Sequence, residues 1–280
     1  MRFAKAHSLG NDFLIVDPDE GGGIADVPGL ARRVCDRHTG VGADGLILIA
    51  VEDEVKALAR FRIFNADGSE AEISGNGLRC AAAYFFARKS VSGPKITFRT
   101  ITGDRECDRI ELAGQPPPIR VEMGPPRFAS DDIPFDDGVR HERIIDYPLS
   151  IHGKIYPVTV VSMGNPHCSL FLDSFPSRNE WLAIGREVEV HPFFPNRTNV
   201  EFIRVLSRSE IEVRFWERGV GETMSSGSGS SAAAVASILR GLTDRKVAVR
   251  TPLGSVVVEW EKDEVFQSAP AELVFEGTLL

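Results

Sequence analysis

Cysteine is scarce in this chain, and long apolar runs are missing. Four cysteines, Cys35, Cys80, Cys107 and Cys168, are scattered over 280 residues without a C-x-x-C pair. That spacing excludes a small disulfide-stapled scaffold, and reduced thiols in a cytoplasm are the expectation. No stretch approaches the ~20 apolar residues needed to span a bilayer. The opening Met1-Arg2-Phe3-Ala4-Lys5 lacks the apolar core of a signal peptide. There is no Lys/Arg block and the net charge is −8, so neither nucleic acid nor an anionic membrane is an expected partner. The Gly-rich segments lack both the Gly-Lys-Ser/Thr ending of a phosphate loop and the G-x-G-x-x-G spacing of a dinucleotide site. The six histidines are dispersed, and no metal-ligand cluster is expected.

What is present is ordinary in bulk and unusual in pattern. Hydrophobic content of 42% and charged content of 26% are those of a globular protein. At 280 residues a single core stops growing, which favours two domains. Ser74-Gly75-Asn76-Gly77 recurs as Ser226-Gly227-Ser228-Gly229, each copy followed by an alanine-rich stretch. The motif serines are 152 positions apart (226 − 74), and the same offset superposes Phe61-Arg62-Ile63-Phe64 on Val213-Arg214-Phe215-Trp216 and Glu70 on Glu222. Upstream, Gly10-Asn11 matches Gly164-Asn165 at 154 (164 − 10). So long a period indicates a duplicated domain, since solenoid and propeller repeats are only about 20–50 residues long.

Short strands dominate the rest. Runs rich in Val, Ile and Phe, bounded by Gly, Pro and Asp, predict strands at 2–7, 13–17, 45–51, 59–64, 95–100, 109–112 and 119–123. The second half predicts strands at 154–163, 167–172, 199–206, 210–216, 246–251, 254–259 and 271–275. Two helices stand out. Leu78, Ala81, Ala82, Phe85 and Phe86 form one apolar stripe; Ala232, Val235, Ala236 and Leu239 form another, with Gly241 as its stop. Both helices are apolar enough to be buried within their own domains. The junction is expected between Gly114-Gln115-Pro116-Pro117-Pro118 and the acidic, proline-punctuated stretch 124–138. The first domain is therefore read as 1–117 plus 264–280 and the second as 118–263.

A strand, a Gly-rich turn and a buried helix make an anion site. The first N–H groups of the helix lack partners within it, and glycine lets another group approach the backbone. Serine at such a start is also a favoured N-cap, so either motif alone supports capping as well as chemistry.

The run Asn65-Ala66-Asp67-Gly68-Ser69-Glu70-Ala71-Glu72-Ile73-Ser74-Gly75-Asn76-Gly77-Leu78-Arg79-Cys80 resembles the first signature of the diaminopimelate epimerases. Glu217-Arg218-Gly219-Val220-Gly221-Glu222-Thr223-Met224-Ser225-Ser226-Gly227-Ser228-Gly229 resembles the second. The opening His7 to Phe13, the run Gly40 to Gly45, Gly164-Asn165-Pro166-His167 and the ending Pro270 to Gly277 fit as well, so the resemblance covers essentially the whole chain. It implies an α/β (α+β) fold of two pseudo-symmetric domains, each a β-barrel-like sheet around a central helix, with the active site in the cleft between them. It also implies a cofactor-independent enzyme of lysine and cell-wall precursor synthesis that interconverts LL- and meso-diaminopimelate.

In that family two cysteines face each other across the substrate α-carbon; here those positions are Ser74 and Ser226. A thiol has a reference pKa of about 8.5, and a serine hydroxyl is a far weaker acid that needs an adjacent base. His167 and Glu217 are the expected helpers, because their family equivalents lie beside the catalytic pair. By the same resemblance Asn11, Asn65, Asn165, Asn199, Glu217 and Arg218 hold the ammonium and carboxylate groups of an amino diacid. The backbone N–H groups of Gly75-Asn76 and Gly227-Ser228 meet the reacting α-carboxylate. No cofactor is expected. The expected partner is the small amino diacid, with a homodimer left open. The serines keep two alternatives in view: a related racemase or lyase, and a homologue that binds the diacid with impaired turnover.

Overall fold

The computed structural model describes residues 1–18, 23–88, 93–111 and 117–279. The chain forms two compact units, Met1–Glu122 with Ser268–Leu280, and Met123–Gln267. It begins β1 (Arg2–Ser8), β2 (Asn11–Val16), α1 (Val27–Cys35), β3 (Gly45–Asp53), β4 (Leu58–Asn65), β5 (Glu70–Ala71) and α2 (Gly75–Arg88). Next come β6 (Lys95–Thr100), β7 (Gly103–Arg109), β8 (Ile119–Gly124), β9 (Ile144–Ile151), β10 (Lys154–Ser162) and β11 (Pro166–Phe171). The remainder is α3 (Arg178–Glu189), β12 (Asn199–Ser207), β13 (Glu210–Glu217), β14 (Gly221–Thr223), α4 (Gly227–Leu239), β15 (Lys246–Thr251), β16 (Gly254–Glu261), β17 (Glu264–Ala269) and β18 (Glu272–Thr278).

The duplication read from the motifs is a duplication of strand pairing. In the first unit β2 runs parallel to β3, β3 antiparallel to β4, and β4 parallel to β6. In the second, β11 runs parallel to β12, β12 antiparallel to β13, and β13 parallel to β15. Side chains alternate across each sheet, so each has two packed faces. One face of the first sheet sets Leu14, Leu46, Leu48 and Phe64 against Leu30, Ala31 and Val34 of α1. The matching face of the second sets Cys168, Leu170, Val200, Phe202 and Trp216 against Trp181, Ile184 and Val188 of α3. The opposite faces close around α2, which meets β1, β2, β3, β7 and β18, and around α4, which meets β10, β11, β12, β13, β15 and β16. Alanine, serine and glycine suit these central helices because small side chains let strands approach from several sides.

α1 and α3 were not among the helices read from the sequence. Pro28 and Gly29 look like breakers in α1, yet proline belongs in a first turn, and Asp26 caps it by accepting from the Gly29 N–H at 2.8 Å. In α3 the interior Gly185 is a packing device: a Cβ there would lie 2.8 Å from the Trp216 ring. Proline also hid β9, whose Pro148 faces Pro157 of β10 in register. The expected strand at 109–112 is replaced by β7, which ends at Arg109; Leu112 and the 114–116 part of the expected junction lie outside the described residues. The stretch 124–138 is structured: Ile133 and Phe135 are buried in the second unit's core. Among the described residues no helix is long and apolar enough to cross a membrane.

Candidate functional site

Ser74 and Ser226 stand immediately before the two central helices. Each Oγ accepts a hydrogen bond from the N–H three residues on: Gly77 at 3.0 Å in the first unit, Gly229 at 3.2 Å in the second. Each carbonyl takes the first helical bond, from Leu78 at 2.8 Å and from Ser230 at 3.0 Å. Both serines are therefore N-caps. Capping engages an acceptor lone pair and leaves the hydroxyl proton available. The N–H groups of Gly75, Asn76, Gly227 and Ser228 belong to the first turns, where the helix offers them no partner.

In the first unit a chain of polar contacts fixes two of the expected binding residues. Arg79, completely buried on α2, donates to Oδ1 of Asn76 and, at 3.0 Å, to Oγ of Ser8. Asn76 donates to Oδ1 of Asn11 at 3.0 Å, and Asn11 donates to Oδ2 of Asp44 at 2.7 Å. Arg37 then joins Asp44 at 2.8 Å to Asp12 at 2.7 Å. Burial brings the Arg79 guanidinium down to about 10, still cationic at neutral pH. Asn65 stands apart from this chain at the end of β4, where its amide donates to Oγ of Ser69 at 2.9 Å.

In the second unit Asn199 ties two segments together, donating to the Pro166 carbonyl at 3.0 Å and accepting the Arg218 N–H at 2.9 Å. The Arg218 guanidinium donates to the Asn196 carbonyl at 3.1 Å. Glu217 accepts from the Thr223 hydroxyl at 2.6 Å. Nε2 of His167 lies 2.8 Å from Oδ1 of Asn165, and its Nδ1 lies 2.6 Å from Oε1 of Glu201. Glu201 was absent from the residues singled out in the sequence. A carboxylate two positions after Asn199, inside the otherwise apolar run Val200, Phe202, Ile203, was the available signal. Arg79 was likewise not singled out, because an arginine in an apolar stretch gives no sequence signal for complete burial. A hollow of about 310 Å³ against the outer side of β13, beside Trp181 and Met224, holds none of the expected residues.

Two duplicated sheets, each wrapped around a central helix, make a fold shared with solved structures. The chain spans 100% of itself and 99% of a Bacillus anthracis phenazine biosynthesis protein of the PhzF family at TM-score 0.69 and 15% identity. Against a hydroxyproline epimerase from Agrobacterium vitis the values are 99%, 91%, 0.68 and 14%. These distant likenesses define the fold. The sequence model described as diaminopimelate epimerase matches residues 3–129 and 159–274. The diaminopimelate epimerase of Pelotomaculum thermopropionicum is 46% identical over 99% of this chain and 98% of its own length. That of Moorella thermoacetica is 43% identical over 99% and 98%. The chain belongs to the diaminopimelate epimerase family.

Proposed function

We propose that this chain interconverts LL- and meso-diaminopimelate by moving the α-proton between the two faces of the α-carbon, without a cofactor, in the cytoplasm. The observation that carries the reading is the pair of serine-capped helix starts at Gly75–Asn76 and Gly227–Ser228 in a chain of this family. In this reading the substrate lies in a cleft between the two motif-bearing domains. The four first-turn N–H groups bind its α-carboxylate and stabilise negative charge as the proton departs. Asn11, Asn65, Asn165, Asn199, Glu217 and Arg218 hold the remaining carboxylate and ammonium groups, with the arginine supplying a fixed fork for a carboxylate.

Ser74 and Ser226 flank the α-carbon, His167 assists one hydroxyl and Glu217 the other. A hydroxyl lies much further from neutral pH in acidity than a thiol, so the two helpers carry a larger share of the proton transfer than they would beside cysteines. The test is incubation of the purified chain with LL-diaminopimelate in D2O, following α-proton exchange and the meso isomer by NMR. Exchange together with isomer formation is expected. Tight binding without exchange, or loss of ammonia or water, overturns the reading in favour of a binder or a lyase. Sedimentation of the same preparation reads whether two copies associate.

A further inference from the structure

The two units can be compared position by position beneath their central helices. In the first, Ala4, Ile15, Ile47 and Ile63 form one row across the sheet, joined in register strand to strand. In the second, the row at the same pairing points is Thr159, Ser169, Glu201 and Phe215. Phe13, which pairs with Gly45 in the first unit, is matched by His167, which pairs with Asn199 in the second. One fold thus accepts a fully apolar row in one copy and a buried polar row in the other. Replacing a buried ion pair by packed apolar groups is often neutral or stabilising, so architecture does not require the polar version.

We propose that Glu201 is a positioning residue for the reaction: it holds a proton on the Nδ1 side of His167, so that Nε2 is the nitrogen that gives and takes a proton at the site. The inference rests on the proposed function, in which His167 serves a reacting hydroxyl. His167 and Glu201 have side chains 0% and 1% exposed. Nε2 and Nδ1 both face oxygen acceptors, Asn165 Oδ1 and Glu201 Oε1. One proton therefore sits on Nε2 and a second on the Nδ1···Oε1 axis, which makes the pair electrically neutral. When Nε2 releases its proton, that N–H bond breaks and its electron pair stays on nitrogen. The acceptor's lone pair takes the proton, while the second proton remains on Nδ1 against an ionised Glu201. Proton capture at Nε2 restores the starting state.

The surroundings suit a carboxyl that changes charge. Burial pushes the Glu201 carboxyl up, Glu217 on β13 adds to this, and His167 and the Ser169 hydroxyl oppose it. Cys168 on β11 is the neighbouring thiol, itself pushed up by burial and by Glu201. From the fourth side comes the start of α4: a Cβ on Gly229 would lie 3.1 Å from Glu201 Oε1 and 3.0 Å from Ser226 Oγ. The positive end of the helix thus stabilises the carboxylate when the pair is left with a single proton. Ser169 on β11 turns its hydroxyl to the Glu201 carboxyl, and the hydroxyls of Thr159 and Ser230 are buried without hydrogen-bond partners among the described residues. A purely structural cluster is expected to be satisfied.

The test compares the native chain with E201Q, E201D and E201I, the last reproducing Ile47 of the first unit. The native chain should show a strongly deshielded Nδ1 proton of His167 by NMR, absent in E201Q and E201I. In both variants kcat for diaminopimelate interconversion should fall on the order of 10²-fold with KM within about threefold. E201D should recover part of kcat, and the limb of the pH–rate profile due to His167 should move in E201Q. E201I alone leaves His167 Nδ1 buried without its partner and should melt lower than the native chain, whereas H167F/E201I, which reproduces both Phe13 and Ile47 of the first unit, should melt close to it. Native kcat and pH profile in E201Q and E201I, or no such ring proton in the native chain, overturns the proposal. If the native chain neither exchanges nor epimerises, the functional reading fails separately, and the ring proton with its loss in E201Q decides the dyad.

Discussion

Gly77 and Gly229 occupy the same point in the two halves, three residues after Ser74 and Ser226, and each lets its helix rest on the sheet below. A Cβ on Gly77 would lie 3.0 Å from Cδ1 of Ile63, 3.2 Å from Cβ of Ser74 and 3.4 Å from Cδ1 of Ile47. On Gly229 it would lie 2.9 Å from Cδ1 of Phe215, beside the Ser226 and Glu201 oxygens. Isoleucine ends can move aside, whereas a ring and two fixed oxygens have less room. G229A should cost about 1–3 kcal/mol and G77A less, measured by urea unfolding. G229A should also lose more activity, since it displaces the Ser226 cap. Equal stability losses in the two variants would refute the distinction.

Restoring thiols should accelerate the reaction. S74C with S226C places groups of reference pKa near 8.5 at helix N-termini, which lower it further. Turnover should rise at least about 10²-fold, with KM for diaminopimelate little changed. An unchanged rate at unchanged substrate affinity would mean that the α-carbon is not held between these two residues.

The native cysteines should be inert in the folded chain. All four are buried; burial raises Cys35 to about 11 and pushes Cys80, Cys107 and Cys168 higher still. Only thiolate reacts quickly with iodoacetamide. The native enzyme should therefore keep its activity under alkylation, while the S74C/S226C protein is inactivated within the same time. Rapid alkylation of the native chain would contradict the burial of its thiols.

Arg79 should matter for substrate grip as well as for folding. R79M removes the donor to Asn76 and Ser8; Ser8 Oγ keeps its bond to the Pro270 carbonyl, but Asn76 Oδ1 loses its donor in a buried place, costing about 1–3 kcal/mol. With Asn76 released, Asn11 also loses its brace, and KM should rise about tenfold with a smaller change in kcat. A stability loss with native KM would confine Arg79 to folding.

Asp12 should contribute to acid sensitivity. Burial opposes its ionisation, but hydrogen bonds from Arg37 and Lys5 outweigh this and hold its carboxyl far below the ordinary range. A folded-state value below the unfolded one, about 3.9, gives stability that is complete above that pH and lost as pH falls toward the folded value. Urea midpoints measured between about pH 6 and pH 2 should fall more steeply for the native chain than for D12N. Parallel profiles would exclude the Asp12–Arg37–Lys5 cluster as a source of acid lability.

The sequence alone determined the duplication and the two central helices. Ser-Gly-x-Gly before an alanine-rich stretch is local chemistry: capping, unpaired first-turn N–H groups and small side chains are properties of neighbouring residues. α2 and α4 lie where those signals put them, and Asn11, Asn76, Asn199 and Arg218 are held by short hydrogen bonds. α1 and α3 escaped notice because their prolines and glycines acquire meaning only against partners such as the Trp216 ring. Only the tertiary structure decided the Glu201–His167 pair and the Arg79–Asn76–Asn11 chain. Residues 34 and 65 positions apart meet there through strand register and helix packing. The row that is Ala4, Ile15, Ile47 and Ile63 in one half and Thr159, Ser169, Glu201 and Phe215 in the other exists in no stretch of sequence. It arises because adjacent strands place every second side chain on one face.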